Sequence, residues 1–466
     1  MTANRIIAAV LGDDDFAQYE QNIYEKYQEM AERELIDKLN ELLSSLTYLT
    51  LLKQWSAQCA CRFIGYREIT IRLKSGRSYN INSPTFLRAK TKGKPGKPPK
   101  RQKGVLRHLG LELLGIIKQT SPALIEVCVS MAVLCPSFEV AAQALRGFGI
   151  NMNEHLLQNI THRFAKLAKS IRVECHHDEA WQKPGIKILV CVDGGRIRER
   201  VKKRGKRKSG LKQQGYTAQW FEPRLLIITQ FDETGKKIKS ISPIIDGSCS
   251  PSLDVFFELL KNYLLSINIQ EASEIVFCAD GGNGIWPRTE QLIETLALSQ
   301  AKQILDYTHA KQNINIVKKT LTDALKLSDK ESKKLAKQVR ELLWNGDIDG
   351  ISDLVKEKLK RKRTAKKTAL KKLEGYFQEH TRFQYNAFHE KGLPTGSGTI
   401  ESAIRRVINL RIKGPGLFWK REHAEDILFL RSLVLTGKLK NACRKGLGLV
   451  RNMFDNNTLE DLPLAA

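Results

Sequence analysis

The sequence predicts an α/β protein, a central sheet covered by helices and preceded by a mostly helical region. Two observations predict this. Past Pro184, short apolar runs alternate with helical periodicity: KILVCVDGG at 187–195, EIVFCADGG at 274–282 and AKQILD at 301–306. Strands that are apolar along their whole length are buried on both faces, as in a sheet sandwiched between helices. Before about residue 180 the pattern is helical instead, broken by one stretch of strict alternation.

Composition bounds the function. The 466 residues suffice for two or three domains. With 42% hydrophobic and 27% charged residues the chain lies outside the disordered range. Seventy-seven Lys and Arg against fifty Asp and Glu leave a formal net charge of +27. That surplus attracts polyanions, nucleic acid foremost, although ribosomal and membrane-surface proteins share it. The runs VCVSMAVLC and ILFLRSLVL are too short or too charged to span a bilayer, and the N-terminus lacks a signal-peptide cleavage site. Nine scattered cysteines without an even framework fit a reducing cytoplasm. Cys59 with Cys61, and Cys175 with His176 and His177, lack the paired C-x-x-C spacing of a zinc site.

In chain order, Tyr24, Tyr27, Leu35, Leu39 and Leu42 mark an N-terminal helix, and residues 66–87 alternate around Lys74-Ser75-Gly76 as a hairpin. AKTKGKPGKPPKRQKG at 89–104 reads as a cationic linker, since Pro and Gly block regular structure. Helical pattern resumes from 105 to about 170. Within it a helix from Ser137, a turn at Gly147 to Gly149 and a helix capped near Asn151 or Asn153 outline a helix-turn-helix that offers Asn159, His162, Arg163 and Lys166 to DNA. The same outline fits an ordinary helical hairpin packed through Leu156, Leu157 and Ile160. The expected division is 1–104, 105–180 and 181–466, the last being catalytic.

Asp193 and Asp280 both end an apolar strand and precede Gly-Gly, where open α/β sheets place their sites. The glycines let the backbone turn and a bulky ligand approach. Asp-Gly is also a common turn dipeptide, and Asp246-Gly247 ends another strand. The duplicated pattern gains weight from Glu401, which enters a helix behind Gly396-Ser397-Gly398 and ahead of Arg405, Arg406, Arg411 and Lys413. Such carboxylates could share divalent cations.

A strand ending in VDG, a strand ending in ADGG, the element I-L-D-x-x-H, and GSGTIES followed by RVINLRIKGPGLFWKREHAEDILFLR together resemble the DDE transposases of bacterial insertion sequences, specifically the ISKra-type group. The resemblance covers about 185–440 and is most specific from Gly396 to Leu430. It implies an RNase H-like core, a mixed five-stranded sheet with flanking helices and a helical insertion at about 312–392. Asp193 and Asp280 would then meet at the sheet centre, Asp246 would stay apart on the edge, and a helix would bring in Glu401. The implied cofactor is Mg²⁺, two ions replaceable by Mn²⁺, held by Asp193, Asp280 and Glu401 for in-line phosphoryl transfer. Asp306 and His309 match the D-x-x-H element and join the catalytic set by the same resemblance. Relatives often carry Tyr just before that His, where this chain has Thr308.

The implied activity is binding of the terminal repeats of an insertion sequence, with strand cleavage and strand transfer, by a homo-oligomer in the bacterial cytoplasm that acts on DNA and no membrane. A nuclease without strand transfer, or a transposase-derived regulator, stays open as the alternative. Expected DNA contacts are Arg196, Lys203, Arg204, Lys206, Arg207, Arg405, Arg406, Arg411 and Lys413. Trp286 and Trp419 are candidates for stacking bases, with core packing as the competing role.

Overall fold

The computed structural model describes residues 11, 12, 15–88, 104–176, 178–203, 205, 210, 215–282 and 284–455. Nearly all of the linker read at 89–104 therefore lies outside the described residues, as do Arg204, Lys206, Arg207 and His177. Two compact units divide the chain, Met1–Ile171 with Leu439–Ala466, and Arg172–Lys438. Among the described residues no helix is long and apolar enough to cross a membrane.

In the first unit, helix α1 (Phe16–Ser44) starts where the Asp15 carboxylate accepts from the Gln18 amide, and Ser45 caps α2 (Leu46–Gln58) in the same way. The expected hairpin is present as β1 (Cys61–Arg72) and β2 (Ser78–Arg88), turning at Gly76 with φ +84°. Buried Glu32 of α1 secures that turn, accepting from the Ser75 amide, the Ser75 hydroxyl and the Tyr79 hydroxyl. Strand β3 (Val105–Arg107) extends the sheet from beyond the linker, and Trp55, Phe86 and Leu109 form one core.

Helices α3 (Leu109–Leu113), α4 (Pro122–Leu134), α5 (Phe138–Gly147) and α6 (Glu154–Lys169) follow, the last three capped by Ser121, Ser137 and Asn153. The C-terminal helix (Leu439–Asp455) belongs to this unit. A Cβ on its Gly446 would sit 3.8 Å from the Phe164 ring of α6 and 3.7 Å from the Ala168 Cα. The division at 104 and the inclusion of this helix in the catalytic domain are thus corrected. The sheet crosses the linker, and the helix buries its apolar face where α4 and α6 offer one.

The second unit holds the five-stranded mixed sheet. Its strands are β4 (Lys187–Gly194), β7 (Arg224–Gln230), β8 (Ile244–Ser248), β9 (Glu274–Ala279) and β10 (Ala301–Leu305), in the spatial order β10-β9-β4-β7-β8. Strands β4, β9 and β10 run parallel and β7 is antiparallel to β4 and β8, which is the RNase H-like arrangement. Between β4 and β7 stands a separate hairpin of β5 (Ile197–Lys202) and β6 (Tyr216–Phe221). Helix α7 (Leu253–Ser266) packs against β8, and α8 (Ile285–Thr295) packs against α7.

Past β10 the insertion is helical as expected: α9 (Tyr307–Leu325), α10 (Asp329–Trp344), α11 (Ile348–Lys358), α12 (Arg363–Tyr376) and α13 (Tyr385–Glu390). The chain then returns through α14 (Gly398–Ile404) and α15 (Arg421–Leu435).

Asp246, on edge strand β8, is fully buried. Arg172 donates to its Oδ1 at 2.7 Å and to Glu425 Oε1 at 3.0 Å, and the Tyr263 hydroxyl donates to its Oδ2 at 2.7 Å. Removing one partner of such a pair leaves an uncompensated buried charge. Asp246→Ala is therefore expected to lower the unfolding free energy by about 3–5 kcal/mol. Urea denaturation followed by circular dichroism measures this, and an unchanged midpoint would remove the anchoring role.

Candidate active site

Strand register brings the acids together. The parallel ladder of β4 and β9 ends at Val192↔Ala279, and that of β10 and β9 at Leu305↔Ala279. Asp193, Asp280 and Asp306 are each the next residue on three adjacent strands, about 4.8 Å apart from one strand to its neighbour. The Asp306 amide continues the ladder by donating to the Ala279 carbonyl at 2.9 Å. Cys191 and Cys278, one alternation back, form a buried cross-strand pair on the face that Asp193 shares with Cys191.

Burial above all sets the ionisation of Asp193. Burial pushes its carboxyl up to about 6, the Gly194 amide pulls it back, Asp280 raises it again and His309 lowers it. The Gly194 amide reaches Asp193 Oδ1 at 2.6 Å, and the Gly282 amide reaches Asp280 Oδ1 at 2.9 Å. Gly281 permits that curl with φ +80°. From the insertion, the Tyr376 hydroxyl donates to the Asp280 carbonyl and the Tyr385 hydroxyl to the Leu305 carbonyl, each at 3.0 Å. The carbonyl just past β9 and the last carbonyl of β10 are thereby tied to α12 and α13.

The glycines after Asp193 were expected to admit a ligand, and they admit protein instead. A Cβ at Gly194 would lie 2.1 Å from Glu222 Oε1, and one at Gly195 would lie 2.9 Å from Ile408 Cδ1. Ile408 follows α14, so the bare backbone of Gly195 lets the segment carrying Glu401 close on the end of β4. Buried Ile400 and Ala403 seat α14 against β4 and β7, with Thr399 Oγ1 3.8 Å from Cys191 Sγ.

Ser397 makes the decisive link. Its amide donates to Asp306 Oδ1 at 3.1 Å and its hydroxyl to Asp306 Oδ2 at 2.7 Å, while the Tyr307 amide donates to the Thr395 carbonyl. A residue four places before Glu401 is so pinned to the end of β10. Asp306 also accepts from the Thr308 amide at 3.0 Å and contacts His309 Nδ1 at 2.5 Å. Burial opposes its charge, but the bonds from His309, Ser397 and Thr308 outweigh burial and hold the carboxyl below its ordinary value.

Both Asp306 oxygens are thus engaged twice, by Ser397, Thr308 and His309. His309 is raised to about 8, chiefly by its bond to Asp306 against the pull of burial, and it feels Asp280 and Asp193 as well. Asp306, His309 and Glu401 present ligand atoms all within 4.8 Å of one another. Glu401 is exposed on the first turn of its helix, and a π-helical turn, Arg405–Asn409, follows. Asp193 and Asp280 are not in the cluster of Asp306, His309 and Glu401 among the described residues, although carboxylate oxygens such as theirs suit a hard divalent cation.

Of the expected DNA contacts, Arg196, Lys203, Arg405, Arg406 and Lys413 are exposed. Arg411 is corrected: it is 2% exposed and its guanidinium lies 5.2 Å from the Trp419 ring centroid, in the core rather than on the surface. Core packing also claims both tryptophans. Trp286 lies beneath Arg382 and Trp419 beneath Arg411, the latter donating from Nε1 to the Ile412 carbonyl. Ser397 and Tyr376 escaped the sequence reading. Only the Gly-Ser-Gly around Ser397 held a signal, and nothing marked Tyr376.

No family model matches the chain, and no curated protein matches it. Among solved structures, the Drosophila P element transposase strand transfer complex is 10% identical and covers 73% of this chain and 82% of that chain with a TM-score of 0.25, a superposition too loose to transfer any residue.

Asp193 ionises less readily folded, near 6, than unfolded, near 3.9, so its charge opposes folding fully above about pH 6 and not at all below about 4. Asp193→Asn removes that opposition. Allowing for solvent screening of a partly exposed group, this gains ~1–2 kcal/mol in metal-free buffer at pH 7.5, or a few degrees in Tm. Calorimetry at pH 7.5 and pH 4 checks it. The gain should vanish at the lower pH, and an equal gain at both would mean that the side chain is not strained by charge.

Proposed function

We propose that the chain is a DDE transposase that binds the terminal repeats of its insertion sequence and catalyses metal-dependent cleavage and transfer of DNA strands. The observation that carries this reading is the in-register convergence of Asp193, Asp280 and Asp306, with Glu401 held beside Asp306 and His309. Asp193, Asp280 and Glu401 would hold Mg²⁺, or Mn²⁺ in its place. When bound, the metal supplies a Lewis acid for the phosphoryl oxygens and lowers the pKa of the attacking water or 3′-hydroxyl.

The chain's own residues do the rest. Asp306 fixes the His309 ring through Nδ1, which leaves Nε2 to donate to a phosphate oxygen, and the raised pKa keeps that proton in place at neutral pH. Arg405, Arg406 and Lys413 stand on the exposed side of the segment that follows Glu401, where they would draw the phosphate backbone toward the acids. Binding of this kind falls with salt, with a logarithmic slope of about −0.9 per phosphate neutralised. The functional form is a homo-oligomer on paired ends.

The test uses the full chain with linear DNA carrying the repeats that flank its own coding sequence. With Mg²⁺ the wild type is expected to nick at the repeat and to join a pre-cut 3′ end to a plasmid. Asp193→Asn, Asp280→Asn and Glu401→Gln should each lose both steps by about a thousandfold or more, the effect of removing several kcal/mol of transition-state stabilisation. Their affinity for the same DNA should stay within about threefold. Cleavage at the wild-type rate by any of the three ends that residue's assignment, and cleavage without joining favours a nuclease.

A further inference from the structure

From the hairpin beside the acids we infer a platform for unpaired nucleotides, a stacking site for single-stranded DNA on the outward face of β5 and β6. This rests on the reading that the chain acts on DNA. Strand alternation builds the face. Arg196, Arg198 and Arg200 lie two residues apart, and the register sets Arg198 opposite Trp220, Arg200 opposite Ala218 and Lys202 opposite Tyr216. The other face is spoken for: Ile197 and Phe221 are buried, and Glu199 accepts from Gln219 and Arg421. The Arg200 amide and the Arg198 carbonyl are also bonded to the backbone of Trp419, so the hairpin is seated.

The exposed side consists of planes. Arg198 lies 5.2 Å from the Trp220 ring centroid and 5.6 Å from that of Phe418, Arg196 lies 5.8 Å from Trp220, and Arg200 lies 4.5 Å from Tyr216. Tyr216 and Phe418 rings meet at 5.5 Å. Trp220 is 50% exposed and Tyr216 38%, among the large hydrophobic residues left open to solvent. Arg196 and Arg198 form no ion pair with a carboxylate among the described residues.

Guanidinium planes interleaved with half-exposed rings complement the flat faces of bases, and the cations complement the phosphates between them. A duplex hides its base faces within its own stack, so the rings select a strand whose bases are unpaired. Stacking of this kind tolerates any sequence, because every base has a π face. Arg196 is three residues beyond Asp193, so a strand on the platform would run directly to the acids.

The experiment measures fluorescence anisotropy of the full chain with a labelled 20-nucleotide oligo-dT and with a 20-base-pair duplex at one salt concentration. Trp220→Ala is expected to weaken the single strand about tenfold and the duplex less than twofold. Trp220→Phe should restore most of the loss, and Arg198→Lys, which keeps the charge without the plane, should weaken the single strand preferentially. Equal losses on both DNAs, or none on the single strand, overturn the platform. Circular dichroism checks that each variant is folded, and Trp220→Phe with Arg198→Lys decides should Trp220→Ala fail to fold. Cleavage that needs Asp193 while Trp220→Ala binds oligo-dT normally would sink the platform alone. Loss of single-strand affinity in a chain that never cuts DNA would sink the catalytic reading alone.

Discussion

The parallel pairing of β9 with β4 on one side and β10 on the other is the constraint on which the rest depends. Its register leaves Asp193, Asp280 and Asp306 each one step past the last shared pair. A slip of one residue would turn every side chain to the opposite face, and the acids would no longer gather. The apolar runs that precede them hold the register, since Ile188, Val190, Ile275 and Ile304 are all essentially without solvent contact. Buried hydrophobic strands thus serve to keep like charges side by side.

Holding those charges requires ties from distant parts of the chain. Tyr376 takes the Asp280 carbonyl just past β9, Tyr385 takes the last carbonyl of β10, and Ser397 takes Asp306. The helical insertion is consequently part of the scaffold of the site and not an appendage to it. Asp246 shows the contrary solution to a strand-end aspartate. Arg172 and Tyr263 consume its oxygens, so it is an anchor without chemistry.

Much of this was legible in the sequence, and what was not has identifiable causes. Uniformly apolar strands announce themselves, and the duplicated Asp-Gly-Gly pointed to Asp193 and Asp280. The β5–β6 hairpin escapes the sequence reading, because Arg198 and Arg200 on one face and Glu199 on the other erase the polar-apolar alternation that marks a strand. Arg411 was assigned to the surface by its charge, yet a guanidinium lying against Trp419 can be buried, and sequence spacing does not reveal the ring it meets. The C-terminal helix was misplaced since its apolar face says that it packs, not against which partner. Ser397 was missed because its partner lies 91 residues earlier in the chain.

The link from Ser397 to Asp306 also has a meaning in time. A chain leaves the ribosome from its N-terminus at about 5–20 residues per second, and domains fold as they emerge. The three aspartates and most of the sheet are made well before Glu401, whose helix is seated only once the segment from 395 to 408 has arrived. A nascent chain therefore spends several seconds or more with its strands made and its acid set incomplete.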